Sequence, residues 1–300
     1  MIFQNSMESQ HALRSLIATS LPTSLKRSLK RVIYASYVHA FWSKTSNWGD
    51  ALNPVLIQFL SGKPVRFAQG VDSEKHIVIG SILSTADART EVWGSGFIRA
   101  GESVVAPPRA IHALRGPLSH AEIRKSGIEA PEVFGDPALL LPYFFNPEIR
   151  RRYEVGIVPH YADKAHPWLR KFRGDSRILI VDVEGDIFEF VRAIKSCEIV
   201  LSSSLHGLIC ADAYAVPSRW IELSMEVIGE GFKFRDYFTS AQRQEAKPIR
   251  PSEGTPLSHV TTQAKYSPPK IDLHELVRCC PFVKRGLVDT LFTTRINAMK

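Results

Sequence analysis

Residues 199–209 read Ile-Val-Leu-Ser-Ser-Ser-Leu-His-Gly-Leu-Ile, so three hydroxyls, an imidazole and a glycine fall where an apolar strand-like run turns into a helical one. The first turn of a helix presents unpaired N–H groups and a partial positive charge. Ser202, Ser203 and Ser204 can add hydroxyl donors, and Gly207 lets a ligand approach the backbone. Together with His206 these are the parts of an anion site at a helix start. The plainer alternative is one serine acting as N-cap and His206 packing as an ordinary side chain.

Three further groups stand at similar joints. Asn47-Trp48-Gly49-Asp50 lies between a strand candidate and its helix, where Asn47 or Asp50 could also be only a cap. Arg115 ends an apolar run before Gly116-Pro117, and its planar fork suits a carboxylate or phosphate; a surface ion pair is the other reading. Gly94-Ser95-Gly96 fits a close backbone approach but lacks dinucleotide spacing. Asn47, Gly49 and Ser95 are expected on the acceptor side of a cleft. His160, His166 and His206 are too irregularly spaced for a metal set, so no metal and no cofactor is expected. Nucleophile-elbow, Walker and His-Glu-x-x-His motifs are missing from the sequence.

The elements that would carry these residues alternate regularly. Strands are expected at 37–42, 76–79, 91–93 and 111–114, with helices at 51–60 and from 117 to about 125. The pattern restarts with strands at 155–158, 177–183, 199–201 and 219–223 and helices at 187–195 and 205–214. Strand, glycine-bearing turn and helix in repetition imply α/β sheets of parallel strands. Two wound sheets in tandem leave a cleft between the carboxyl ends of their strands, where such sheets bind ligands. Three prolines between 136 and 147 place a boundary near 150. The expected organisation is an N-terminal extension (1–35), an N-terminal α/β lobe (36–150), a C-terminal α/β lobe (151–245), and a linker with a closing segment (246–300) that includes a helix at 277–299.

The chain has 300 residues, a net charge of +8 and 44% hydrophobic residues. That balance excludes wholesale disorder and favours an anionic partner. Basic residues without interleaved aromatics or a recognised module argue against nucleic acid. Cys197, Cys210, Cys279 and Cys280 form no metal-binding spacing. Without an apolar signal core or a spanning stretch, a cytoplasmic protein is expected. Lys26, Arg27, Lys30 and Arg31 in the extension offer peripheral contact with the inner face of a membrane.

The set of motifs resembles the polysaccharide pyruvyl transferase family. It comprises Asn47-Trp48-Gly49-Asp50, Gly94-Ser95-Gly96-Phe97, Ala113-Leu114-Arg115-Gly116-Pro117, Gly135-Asp136-Pro137-Ala138-Leu139, Gly156-Ile157-Val158-Pro159-His160, Ser202 through Gly207, and Lys233-Phe234-Arg235-Asp236-Tyr237-Phe238. Each is weak alone; their order over about residues 40–240 is the specific feature. The resemblance implies two Rossmann-like lobes facing across a cleft, as in GT-B glycosyltransferases. It also implies transfer of the enolpyruvyl group of phosphoenolpyruvate to two hydroxyls of one sugar in an exopolysaccharide or lipid-linked precursor, giving a cyclic ketal and phosphate. By similarity Arg115, Leu205 and His206 contact the donor. His206 would act as acid or phosphate donor, with Asp50 and His160 as candidate bases for the sugar hydroxyls. The alternatives are a nucleotide-sugar glycosyltransferase and a non-catalytic sugar- or phosphate-binding protein.

Overall fold

The computed structural model describes residues 36–68, 74–244 and 247–298. The expected N-terminal extension and its basic cluster lie outside the described residues. Two all-parallel sheets organise the chain. The first runs β2-β1-β3-β4-β5, built from Val38–Ala40 (β1), Val65–Phe67 (β2), Lys75–Ile77 (β3), Thr90–Trp93 (β4) and Ala110–Ala113 (β5). The second runs β7-β6-β8-β9, built from Tyr153–Val158 (β6), Ile178–Ile180 (β7), Cys197–Ser202 (β8) and Ser218–Trp220 (β9). The expected α/β class of parallel sheets is therefore present, with β2 as a strand the sequence pattern did not indicate.

The helices are Trp48–Ser61 (α1), Pro117–Lys125 (α2), Pro167–Arg170 (α3), Ile187–Lys195 (α4), Leu205–Ala213 (α5), Phe232–Ala241 (α6), Leu257–Thr261 (α7), Leu273–Arg278 (α8) and Leu287–Ala298 (α9). Helix α1 starts three residues before its expected position. Asn47 caps it by accepting the Gly49 N–H at 3.2 Å, so the expected loop 47–50 is its first turn. Pro54 inside α1 cannot donate to the Asp50 carbonyl, a loss that ordinarily breaks a helix. Asn53 repairs it: its side-chain amide donates to the carbonyls of Gly49 and Asp50 at 3.2 and 3.1 Å. The same side chain exchanges two bonds with the backbone of Ile79 and so clamps the helix to the end of β3.

The largest buried cluster draws on both halves of the chain, with Trp48, Leu52, Leu56 and Trp93 packed in one body with Val158, Val181, Leu205 and Leu208. Trp48 ties them by hydrogen bonds as well, its backbone N–H to Val183 and its indole to Ile187. The stretch expected as a linker at 246–269 is described from residue 247 and lies on the second sheet: Ile249 bridges Ile221, Lys265 bridges Ser218, and Val260 of α7 is fully buried. The expected single helix at 277–299 is divided into α8 and α9, because Pro281 lacks a donor and Gly286 takes a left-handed turn at φ 78°. The segment returns to the first sheet, where the Trp93 indole donates to Leu276 at 2.8 Å.

One buried network fixes α6 across α2. The N-cap of α2 is Gly116, which has no side chain to cap it. Asp236 of α6 does so instead, accepting the Ser119 N–H at 2.9 Å and the Ser119 hydroxyl at 2.7 Å. The same carboxylate holds the Arg115 guanidinium at 3.0 Å, and both side chains are sealed from solvent. Gly116 is required there, since a Cβ would stand 2.0 Å from the Asp236 carbonyl oxygen. Removing one partner of a buried pair leaves an uncompensated charge. Asp236→Asn should therefore cost about 3–5 kcal/mol of stability in a denaturant titration, whereas Arg235→Asn, one residue earlier on α6, should cost less than about 1 kcal/mol.

Candidate functional site

In each sheet the first strand lies between the second and the third, so winding reverses at β1/β3 and at β6/β8, where open sheets form a crevice outside their carboxyl ends. A cavity of about 170 Å³ opens at both points together. Ser43, Thr45, Asn47 and Asp50 reach it after β1, and Ser81 and Ile82 after β3. His160 and Tyr161 reach it after β6, and Ser204, Leu205 and His206 after β8. Ile98 and Lys233 complete the wall. Two larger surface cavities, of about 450 and 440 Å³, involve other parts of the fold and none of these residues.

His206, in the first turn of α5, packs against the first turn of α1. A Cβ on Gly49 would lie 2.2 Å from the imidazole, so only glycine lets the two helix starts meet. The ring Nδ1 lies 3.3 Å from Asn47 Oδ1, which also accepts the Gly49 N–H. An acceptor at that place puts the ring proton on Nδ1 and leaves Nε2 with a lone pair. Nε2 is buried and has no partner among the described residues. Burial pushes the His206 pKa down to about 3, and the Lys233, Arg115 and His160 charges add to the effect. The ring is neutral near pH 7.

Lys233 supplies the free cation of the cavity. It makes no hydrogen bond or ion pair among the described residues, and its Nζ stands 5.7 Å from the centroid of the Phe234 ring. Burial lowers its pKa to about 8, helped by Arg115 and opposed by Asp50. Asp50, third residue of α1, moves the other way: burial raises it to about 6 although the Thr45 hydroxyl donates to it and Lys233 attracts it. His160 is pushed down to about 4 by burial and by Lys233. At neutral pH the cavity thus holds one ammonium, one carboxylate and two neutral imidazoles. The Leu205 and His206 amides of α5 are unpaired among the described residues, since Gly207 and Leu208 bond back to Ser204.

The expected site residues divide into two groups. Asn47, Asp50, His160, Ser204, Leu205 and His206 line the cavity, and Gly49 permits the His206 approach. The others stand behind it. Ser202 Oγ is spent on the Val158 and Ser204 carbonyls, and Gly207 leaves room for that hydroxyl. Ser203 donates to Asp163 at 2.7 Å and accepts the His160 N–H at 2.8 Å. Ser95 donates to the Gly80 carbonyl. Arg115 was expected to fork onto a ligand, but its fork is occupied: Nε and Nη2 by Asp236, Nη2 also by the Phe97 carbonyl, and Nη1 by Ser81 at 2.6 Å. Its effect on the cavity is through its charge and through Ser81. Lys233 was missed as a site residue; the available signal was its position three before Asp236, on the same face of α6.

The sequence profile described as polysaccharide pyruvyl transferase matches residues 21–224. The uncharacterised protein L143 of Acanthamoeba polyphaga mimivirus is 29% identical over 212 residues, covering 68% of this chain and 73% of that one. The succinoglycan biosynthesis protein ExoV of Rhizobium meliloti (strain 1021) is 29% identical over 208 residues, covering 66% of this chain and 62% of that one. A crystal structure of a functionally uncharacterised Klebsiella pneumoniae protein covers 78% of this chain and all of its own at a TM-score of 0.40 and 11% identity, a likeness too loose to carry an argument.

The environment of His206 has a direct spectroscopic consequence. With its pKa held near 3, the His206 Cε1 proton should show no titration between pH 5 and 8 in NMR spectra of the free protein. An anion beside the ring favours the imidazolium, so one that enters the cavity, tested with saturating inorganic phosphate, should bring a titration into that window.

Proposed function

Because the chain belongs to the polysaccharide pyruvyl transferase family, we propose that its cavity binds phosphoenolpyruvate and transfers the enolpyruvyl group to two hydroxyls of one sugar, forming a cyclic ketal. The observation that carries this reading is Lys233, a cation without hydrogen bond or ion pair among the described residues, in a cavity lined also by Asp50, His206 and the first turn of α5. An ammonium and a helix start are two separate anion receptors, and the donor brings two anionic groups, a carboxylate and a phosphate. The sheets act as two GT-B-like lobes with the donor between them. The acceptor is a polysaccharide or lipid-linked precursor, a reading supported by a relative named for succinoglycan biosynthesis. The reaction takes place on the cytoplasmic side and needs neither cofactor nor divalent metal.

The proposed chemistry balances as follows. A proton adds to the methylene carbon of the donor, making a methyl group and an oxocarbenium-like centre at the adjacent carbon. One sugar oxygen bonds to that carbon, the carbon–oxygen bond to phosphate breaks, and the second sugar oxygen closes the ketal. Two hydroxyl protons are released; in the net balance one matches the proton on the methyl group and the other leaves with phosphate. Donor binding charges His206, which then supplies the proton to carbon. Asp50, ionised above about pH 6, accepts a hydroxyl proton. Lys233 and the α5 amides hold the departing phosphate.

Two expected outcomes follow from this assignment. Phosphoenolpyruvate at about 100 times its Kd should stabilise the protein by about 2.7 kcal/mol, while UDP-glucose leaves the melting temperature unchanged. The reverse order would favour a nucleotide-sugar enzyme, and binding without phosphate release in the presence of any glycoside would favour a non-catalytic protein. The native state holds the Lys233 proton less tightly than the unfolded chain, so the buried charge costs stability below about pH 8. Lys233→Met should accordingly raise the melting temperature of the free protein at pH 7 and abolish the shift with phosphoenolpyruvate.

The second outcome concerns pH. Phosphate release should rise with pH through about 6 as Asp50 ionises, and fall above about 8 as Lys233 loses its proton. Asp50→Asn should lower turnover by ~10²–10⁴-fold and remove the acidic limb. An unchanged acidic limb in that variant would assign the titration to another group.

A further inference from the structure

A cavity of about 170 Å³ is small beside the ~300–1,000 Å³ of pockets that enclose a drug-sized ligand. It suits a donor of about ten heavy atoms, which leaves the mouth as the place for the acceptor sugar. Tyr161 stands at that mouth: it lines the cavity yet is 47% exposed. It sits in a 3₁₀ turn (Tyr161–Asp163), and its ring is backed by His160, with centroids 4.1 Å apart and planes tilted by 36°. The turn itself is rigid. His160 is held by Ser203, and Asp163 at its end accepts the hydroxyls of Ser203 and Ser224.

The chain beyond Ser224 carries other apolar groups without cover. Ser224 leads directly to Met225, which is 80% exposed. Ile228 is 55% exposed and precedes Gly229, whose left-handed turn (φ 97°) lies against the carbonyl of Ile98, itself a cavity residue. Residues 224–229 thus run from the Asp163 turn to the Ile98 side of the cavity.

We propose that Tyr161 is the platform on which the acceptor pyranose stacks, with Met225 and Ile228 extending the shelf to the next sugar of the glycan. A pyranose presents a face of axial C–H groups with hydroxyls at its edge. An aromatic ring with a rigid backing takes such a face at little entropic cost, because a tyrosine has only two torsions to fix. Stacking turns the hydroxyl edge inward, toward Asp50 and the bound donor. Tyr161 is accordingly a specificity-determining residue: it selects sugars with an unbroken C–H face while leaving donor recognition to Lys233 and α5. This inference rests on the pyruvyl-transfer reading for its acceptor class.

Saturation-transfer NMR with methyl glycosides of glucose, galactose and mannose tests it, in the absence and presence of phosphoenolpyruvate. At least one glycoside should receive saturation mainly on the C–H protons of one face. Tyr161→Ala should weaken that binding at least tenfold, Tyr161→Phe should keep it, and both variants should retain the wild-type thermal shift with phosphoenolpyruvate. Equal glycoside binding by Tyr161→Ala, or no saturation of any of the three in the wild type, overturns the proposal. Loss of phosphatidylglycerol-vesicle co-sedimentation, rather than of glycoside binding, in Tyr161→Ala and Met225→Ser would also overturn it and reassign the rim to a membrane surface. Failure of phosphoenolpyruvate to shift the melt defeats the donor reading alone, since saturation of the sugar by Tyr161 is read without the donor.

Discussion

The ion pair between Arg115 and Asp236 is the constraint on which the site depends. Taking both charges out of water is expensive, and a buried pair of this kind adds little net stability over an apolar pair of the same shape. Its value here is positional. Asp236 accepts from Arg115 at the end of β5 and from the first turn of α2 at once, so α6 has one seating on that helix. Lys233 lies three residues earlier, on the same face, and is delivered to the cavity by that seating. Ser81, which lines the cavity, is held by the same guanidinium.

Without ligand, the cavity is poorly satisfied. Among the described residues, a lysine without a hydrogen-bonding partner, a carboxyl raised toward neutrality and a buried imidazole nitrogen with no bond are all costs carried by the fold. Burial is the largest cause of every one of these shifts. An anion entering the cavity would relieve Lys233 and reverse the repulsion on His206. The groups that destabilise the free protein are therefore the groups best placed to recognise an anion, and they are already arranged in the free protein.

Close approach is what brings these charges together. Gly49 and Gly116 do not act here as turn formers: Gly49 admits the His206 ring to the start of α1, and Gly116 admits the α6 backbone to the start of α2. At each, a single methyl group would separate two helices. Asn53 does comparable work with a polar side chain, keeping α1 intact across Pro54 and fastening it to β3. Tyr161, Met225 and Ile228, by contrast, face outward.

Much of this was legible in the sequence because it is encoded locally. Alternating apolar runs and glycine-bearing turns specify strands and helices within windows of ten residues, and they placed Asn47, Asp50, His160 and His206 at strand ends, where parallel sheets bind ligands. What the sequence could not rank was which polar groups remain free. Ser202, Ser203 and Ser204 are neighbours of the same type, yet the first two are consumed by Val158 and Asp163, and only Ser204 lines the cavity. Arg115 looked like a ligand fork and is occupied by Asp236, 121 residues away; Lys233, quoted only as part of a motif and given no role, is the cavity cation without hydrogen bond or ion pair among the described residues. Local pattern depends on backbone geometry and side-chain periodicity, which neighbours determine. Desolvation and pairing depend on groups brought together only when the two sheets share a core, so the tertiary structure alone decided which charge is spent on the fold and which is left for a ligand.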